Sequence, residues 1–412
     1  MKLLTLAIFA VSFLLVSGEK ARFDDHRVYS LKIQNEKQLE ALQDLENSQS
    51  GMFYLEAPIS IHKLAEIIVP PHKFADMTEL FDKLEIENRI TVNNLQKLID
   101  EEQPKLSSRT TFGWDKYYDL PAIYNWLDEI LQEYPDILTN YDVGTSYENR
   151  TIRAVKLSKK KNNATIFIES TIHAREWITV ATTTYILNEF LTSNDPEVQA
   201  LAENYDWIIV PVLNVDGYSF THSNNRMWRK TRQPYGSGCV GADPNRNWDF
   251  HHNDVGSSSN PCSEIYAGPK PFSEPEALAL SKFVESIGKV NLYISFHSYS
   301  QLLMFPYGHT TDPAPNHDDM LQIGEQTVDA ISERYGTDYE TGDIASTIYL
   351  ASGSSIDWAY GVAKVPITYT FEFRDKGKNG FILPADQIIP NSEEVLDGLI
   401  AMAKEAKELN YL

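Results

Sequence analysis

Five segments of this chain, residues 152–157, 165–170, 207–213, 290–296 and 367–373, read as β-strands, and several are almost continuous in apolar residues. A strand with one wet face alternates apolar and polar side chains. A strand buried on both faces does not, because helices cover its sheet on either side. Helical spacing over 120–134 and 177–191 supplies such helices. The chain beyond Thr110 is therefore expected to form one α/β domain, a mixed central β-sheet flanked by helices.

The first quarter reads differently. Residues 28–33, 52–55 and 65–69 look like strands, and 36–46 and 74–86 like helices, the first carrying Leu39, Leu42 and Leu45 on one face. That is a small α+β domain of about 80 residues, a size that just supports its own core. A polar stretch, 100–109, follows as an exposed linker, with Lys105 and Arg109 as targets for a trypsin-like protease. Residues 1–18 carry Lys2 and then an apolar run too short to span a bilayer. With the small residues Val16, Ser17 and Gly18 behind it, this reads as a secretory signal peptide cut after Gly18. The expected domains are 1–18, 19–109 and 110–412, in a soluble, secreted protein.

The net charge of −22 argues against nucleic acid or an anionic membrane as partner. The two cysteines, Cys239 and Cys262, are an even pair, which in a secreted chain suggests a disulfide. Thiolate ligation of zinc is the alternative, but no histidines stand near them at finger spacing. Asn149 and Asn163 head glycosylation sequons, which fit secretion.

The chemistry concentrates in His173-Ala174-Arg175-Glu176, His297 and Glu372. Two histidines and a glutamate are ligands of the kind a catalytic zinc takes, leaving a fourth position for water. Glu372 is then a spare carboxylate able to take a proton from that water. His173 and Glu176 follow strand 165–170 and His297 ends strand 290–296, where ligand sites of open α/β sheets gather. In 367–373, Thr368, Thr370 and Glu372 share one face of the strand. Each feature has a plainer reading alone. A His-x-x-Glu pair arises by chance in many helices. Glu372 could be a satisfied buried carboxylate, and His251, His252 and His309 read as loop histidines.

The neighbouring segments Arg226-Met227-Trp228-Arg229-Lys230 and Asp243-Pro244-Asn245-Arg246-Asn247-Trp248 decide between these readings. With the His/Glu/His set they make the chain resemble the zinc carboxypeptidases of the carboxypeptidase A/B family across residues 27–412, including the family's N-terminal activation domain. The resemblance implies one Zn2+ per chain on His173, Glu176 and His297, with Asp243 orienting the first histidine. It implies that Arg229 polarises the scissile carbonyl and that Glu372 is the general base and then acid. Asn245, Arg246 and Tyr349 would hold the substrate's terminal carboxylate. Arg175, Arg226, Tyr299 and Phe381 would form outer subsites, and Cys239–Cys262 the family disulfide. The partners so implied are peptide and protein C-termini and an activating protease cutting after Arg109 or Lys105; the family's usual form is a monomer.

Selectivity rests on Ile356, where the basic-specific members of the family carry aspartate. With Met304, Ile344 and Thr370 it makes an apolar pocket, and Gly308 leaves room for a ring. The resemblance therefore implies release of aromatic and large aliphatic C-terminal residues, not Lys or Arg. The segment 361–366 is one residue longer than the family's usual loop, which touches the finer preference. Two rival readings are a binding protein that has lost catalysis and an intracellular processing carboxypeptidase. The first would lack a ligand or the base, and none is lacking; the second fits neither the signal peptide nor the activation segment.

Overall fold

The computed structural model describes residues 20–46, 51–103, 111–161, 163–236 and 238–412. The expected signal peptide and both expected cleavage points, Lys105 and Arg109, lie outside them.

The N-terminal unit has four strands, β1 (Arg27–Lys32), β2 (Phe53–Glu56), β3 (Leu64–Val69) and β4 (Glu87–Val92), ordered β2-β3-β1-β4. Helices Glu36–Glu46 and Phe74–Leu84 close its core through Leu42, Met77 and Phe81. The second helix stops at Leu84, short of the expected 86, because Glu85 turns into the left-handed region at φ 53°.

The larger unit is built on eight strands: β5 (Leu138–Thr145), β6 (Thr151–Leu157), β7 (Ala164–Ser170), β8 (Tyr205–Val210), β9 (Leu292–Ser298), β10 (Leu302–Phe305), β11 (Glu340–Asp343) and β12 (Ile367–Phe373). Their order is β11-β10-β12-β9-β7-β8-β6-β5. The central four, β12, β9, β7 and β8, run parallel, and antiparallel strands join both flanks. This is the mixed sheet expected. Ile166, Phe167 and Ile168 in β7, and Tyr293, Ile294 and Phe296 in β9, are all fully buried, so both sheet faces are covered. Helices Trp177–Thr192, His317–Tyr335 and Ile388–Glu408 pack together as one cover layer. Each such aliphatic or aromatic side chain contributes about 1.5–3 kcal/mol. Ile294→Ala would cost roughly 2–5 kcal/mol.

Two strand ends differ from expectation, and both matter for the site. The strand over 207–213 stops at Val210, because Pro211 has no N–H for the ladder. The chain then turns at Asn214, which caps helix Val215–Ser223 by accepting from Gly217 N at 3.0 Å. Strand β9 runs to Ser298, so His297 lies inside the strand rather than at its end. Cys239 and Cys262 are disulfide-bonded, which excludes thiolate ligation. Closing that loop is worth roughly 3 kcal/mol. Of the two sequons, Asn149 is exposed at a turn, whereas Asn163 donates its side-chain amide to Glu203 O at 3.0 Å. Among the described residues no helix is long and apolar enough to cross a membrane.

Candidate active site

The turn after β7 carries His173 and Glu176 to the carboxyl end of the sheet. It is pinned from beneath, with Ala174 N donating to Arg229 O (3.0 Å) and Asn214 Nδ2 to Ile172 O (3.2 Å). Glu176 stands just before helix Trp177–Thr192 but does not cap it with its side chain. Its carboxylate turns instead to the histidines, with Oε1 2.8 Å from His173 Nδ1 and Oε2 3.3 Å from His297 Nδ1. The two Nδ1 atoms are 3.1 Å apart. All three side chains are buried, and they are the one metal-capable cluster of histidines, cysteines and carboxylates among the described residues.

Donor chemistry and spacing both fit zinc. Bonds of ~2.0–2.1 Å in a tetrahedron place the ligand atoms about 3.3 Å apart, close to the separations here. Asp243 completes the arrangement. Its Oδ1 lies 3.1 Å from His173 Nε2 and accepts from Asn245 N at 2.9 Å, while its Oδ2 accepts from Arg229 Nη2 at 2.8 Å. With the His173 Nε2 proton on Asp243, Nδ1 presents its lone pair to the Glu176 side. Burial works against the Asp243 charge, but Arg229 and His173 outweigh it and hold the carboxyl well below its usual range. Burial likewise opposes ionisation of Glu176, and His173 and His297 overcome it. Burial and Arg229 push the His173 imidazole down, against Glu176 and Asp243. A neutral imidazole beside an ionised carboxylate is the state a metal requires.

Strands β9 and β12 run parallel with His297 and Glu372 directly paired, so the metal ligand and the spare carboxylate sit side by side on one face. Burial, Glu176 and Glu56 push the Glu372 carboxyl up, against Arg229 and Arg246. One step down the same face lie Ser295 and Thr370, and Thr370 pairs with Met304 of β10.

A cavity joins these groups to Arg229, Asn245, Arg246 and Tyr349. Arg246 is buried, its Nε on Gly256 O (2.9 Å) and its Nη1 on Asn245 O (2.9 Å). Asn245 Oδ1 accepts from Ser355 N at 3.0 Å. The cavity lining includes Met304, Ile344, Ile356 and Thr370, and also Ile348, Ala351 and Ser354, which sequence reasoning missed. No charged side chain lies among these. Gly308 stands behind the wall, not in it. A Cβ there would come within 2.8 Å of Ala351 O and 3.2 Å of Ile344 Cγ2, so its role is to let those two residues sit back. None of residues 361–366, the segment read as lengthened, is among the lining of this cavity.

The outer groups are occupied by the N-terminal unit. Arg175 donates to Leu55 O at 2.6 Å, and Tyr299 donates to Glu66 Oε2 at 2.5 Å. Arg226 grips both oxygens of Glu102, at 2.8 and 2.5 Å, and donates to Phe381 O at 2.8 Å. Phe23, Val28, Leu55, Ile68 and Leu95 pack against Met227, Tyr299, Phe381 and Ile382 in one apolar cluster. Glu56 reaches the cavity itself. Its carboxyl is pushed up by burial and pulled back by Arg229 and Arg175. No sequence signal marks Glu56 as a site residue, because it only ends a short apolar strand.

Comparison with known proteins agrees with this geometry. Residues 123–398 match the zinc carboxypeptidase family and residues 29–102 the carboxypeptidase activation peptide. Zinc carboxypeptidase A 1 of Anopheles gambiae is 45% identical, over 98% of this chain and 95% of its own. Carboxypeptidase B of Astacus astacus is also 45% identical, over 72% of this chain and 98% of its own. The solved carboxypeptidase A of Helicoverpa armigera superimposes with a TM-score of 0.84 at 27% identity, covering 94% of this chain and 99% of that one. The chain belongs to the zinc carboxypeptidase family. It is a zinc-dependent carboxypeptidase that carries its activation peptide, and His173, Glu176 and His297 form a cluster able to hold the metal. Overall identity does not separate A-type from B-type selectivity, since one relative of each name stands at 45%. The cavity wall has to decide that.

Proposed function

We propose that the chain is a secreted zymogen, acting as a monomer once cut after Arg109 or Lys105 by a trypsin-like protease, that releases aromatic and large aliphatic C-terminal residues. Bound zinc supplies Lewis acidity and a water whose pKa falls toward ~7. The chain's own groups do the rest. Arg246, with Asn245 and Tyr349 beside it, takes the free terminal carboxylate, for which a planar guanidinium fork is suited. That contact makes the enzyme an exopeptidase. Arg229, held by Asp243, donates to the scissile carbonyl oxygen; losing one such donor costs about 10²–10³ in rate. A Glu372 carboxylate oxygen takes the proton of the attacking water and delivers it to the leaving amine.

The observation that carries the selectivity is Ile356, buried at 2% exposure in a wall without charge. A Phe or Leu side chain gains about 1.5–3 kcal/mol there, whereas a lysine ammonium would be left unpaired. The prosegment covers Arg175, Arg226, Tyr299 and Phe381, so the uncut chain is inactive. The test is hydrolysis of blocked dipeptides ending in Phe or Lys, before and after trypsin, with and without a zinc chelator. Chelator-sensitive release of Phe only after cutting is the expected result. Faster release of Lys would overturn the selectivity, and full activity of the uncut chain would overturn the latency.

A further inference from the structure

Directly beneath the site lies a carboxylate that the chemistry above does not use. Glu169, in β7 four residues before His173, is fully buried. Its Oε1 accepts from Ser295 Oγ at 2.5 Å and from Ser355 Oγ at 3.0 Å. Its Oε2 has no partner, so its hydrogen bonding goes entirely to those two serines. An acid in such a place is costly to bury, and a Leu or Met would fill the space more cheaply unless the two bonds matter.

The two serines belong to the two parts of the site that must agree. Ser295 pairs with Glu169 across one ladder and with Thr370 across the next, and lies two residues before His297. Thr370 in turn lines the cavity. Ser355 opens the helix Ser355–Gly361 and immediately precedes Ile356. Its N–H is already held by Asn245 Oδ1. Glu169 therefore joins the metal-ligand strand, the floor of the pocket and the start of the helix that carries Ile356. The neighbouring Ser354 caps that helix through Asp357 N, so the helix start is fixed locally. Its distance from the sheet is what Glu169 adds.

We propose that Glu169 is a positioning residue for selectivity: by holding Ser355 to Ser295 it sets the depth of the pocket below Ile356. The proposal rests on the apolar-pocket reading above. A residue acting only through the fold would affect all substrates alike, while one that sets pocket depth affects those that fill it.

The experiment uses the full chain after trypsin, with blocked dipeptides ending in Phe and in Ala and zinc content measured alongside. Ser355→Ala and Glu169→Leu are each expected to lower kcat/KM for Phe about 10-fold, chiefly through KM, with Ala-ending substrate changed less than about 3-fold. Zinc stays at one per chain. Glu169→Gln, which keeps a carbonyl acceptor, stays within about 3-fold of wild type. The double variant is no worse than the worse single one, because both break one linkage. Equal losses on both substrates, loss of zinc, or a Gln variant as poor as Leu would overturn the proposal. Should Glu169→Leu fail to fold, Ser355→Ala alone decides, and an unchanged Phe-to-Ala ratio overturns it. A wild type without preference for Phe over Ala would sink the pocket reading itself and this proposal with it.

Discussion

Arg226 and Arg229 stand three residues apart, both buried and both paired with a carboxylate. Arg229 is paired with Asp243 of its own domain, through which it is also coupled to His173. Arg226 is paired with Glu102, which belongs to the prosegment. The inner pair thus draws its hydrogen bonds from the catalytic domain itself. In the outer half the prosegment adds a partner to each polar group: Glu102 to Arg226, Leu55 O to Arg175 and Glu66 to Tyr299. In the uncut chain the His/Glu/His cluster keeps a ligand-compatible spacing while the prosegment covers the outer groups and Glu56 enters the cavity.

That contrast can be broken at either end. The largest effect is expected from Glu372→Gln, which should keep zinc and the fold while turnover falls at least ~10²-fold; single-turnover kinetics with metal analysis check it. Next is Ile356→Asp, expected to cut kcat/KM for Phe by about 10- to 100-fold and to favour Lys, since the loss is that of an apolar contact; competition between the two substrates reads it directly. On the outer half, Glu102→Ala should leave Arg226 buried and unpaired, a cost of roughly 3–5 kcal/mol. It should appear as residual activity in the uncut chain and a lower urea midpoint for prosegment release, with the trypsin-activated enzyme unchanged.

The smallest effect concerns pH. Burial pushes the Glu66 carboxyl up to about 7, against its hydrogen bond from Tyr299, with Glu56, Arg89 and Asp375 also acting on it. Its docked value lies above its free value, so the docked state binds more protons and docking weakens as pH rises toward and through 7. After the tryptic cut, the prosegment should inhibit longer at pH 5.5 than at pH 8. Glu66→Gln should flatten that dependence; a variant with the wild-type profile would assign it to another group.

The inner half of the site was readable in the sequence. Its ligands lie on or beside apolar strands whose two-sided burial fixes the sheet, and strand 367–373 matched residue for residue. Four strands escaped sequence reasoning: Glu87–Val92, Leu138–Thr145 and Glu340–Asp343 are polar or mixed and lie at sheet edges where little burial shapes composition, while Leu302–Phe305 is apolar but only four residues long. His297 was placed past its strand, because an apolar run ends at Phe296 while backbone pairing continues to Ser298. Glu56 and Gly308 were misread or unseen for a further reason. What each does depends on residues brought near by the fold, Arg229 and Arg175 for one and Ile344 and Ala351 for the other.

The pairing of His297 with Glu372 across two hydrogen-bonded strands has one more consequence. Their spacing is the inter-strand distance, about 4.8 Å in any sheet. Most of the pocket wall, Ile344, Ile348, Ala351, Ser354 and Ile356, comes instead from short helices and connecting segments, with Met304 and Thr370 added from strands. Mutation can therefore reshape what the enzyme prefers to cut while the spacing that governs how it cuts is inherited intact, so selectivity is free to diverge among descendants of one reactive scaffold.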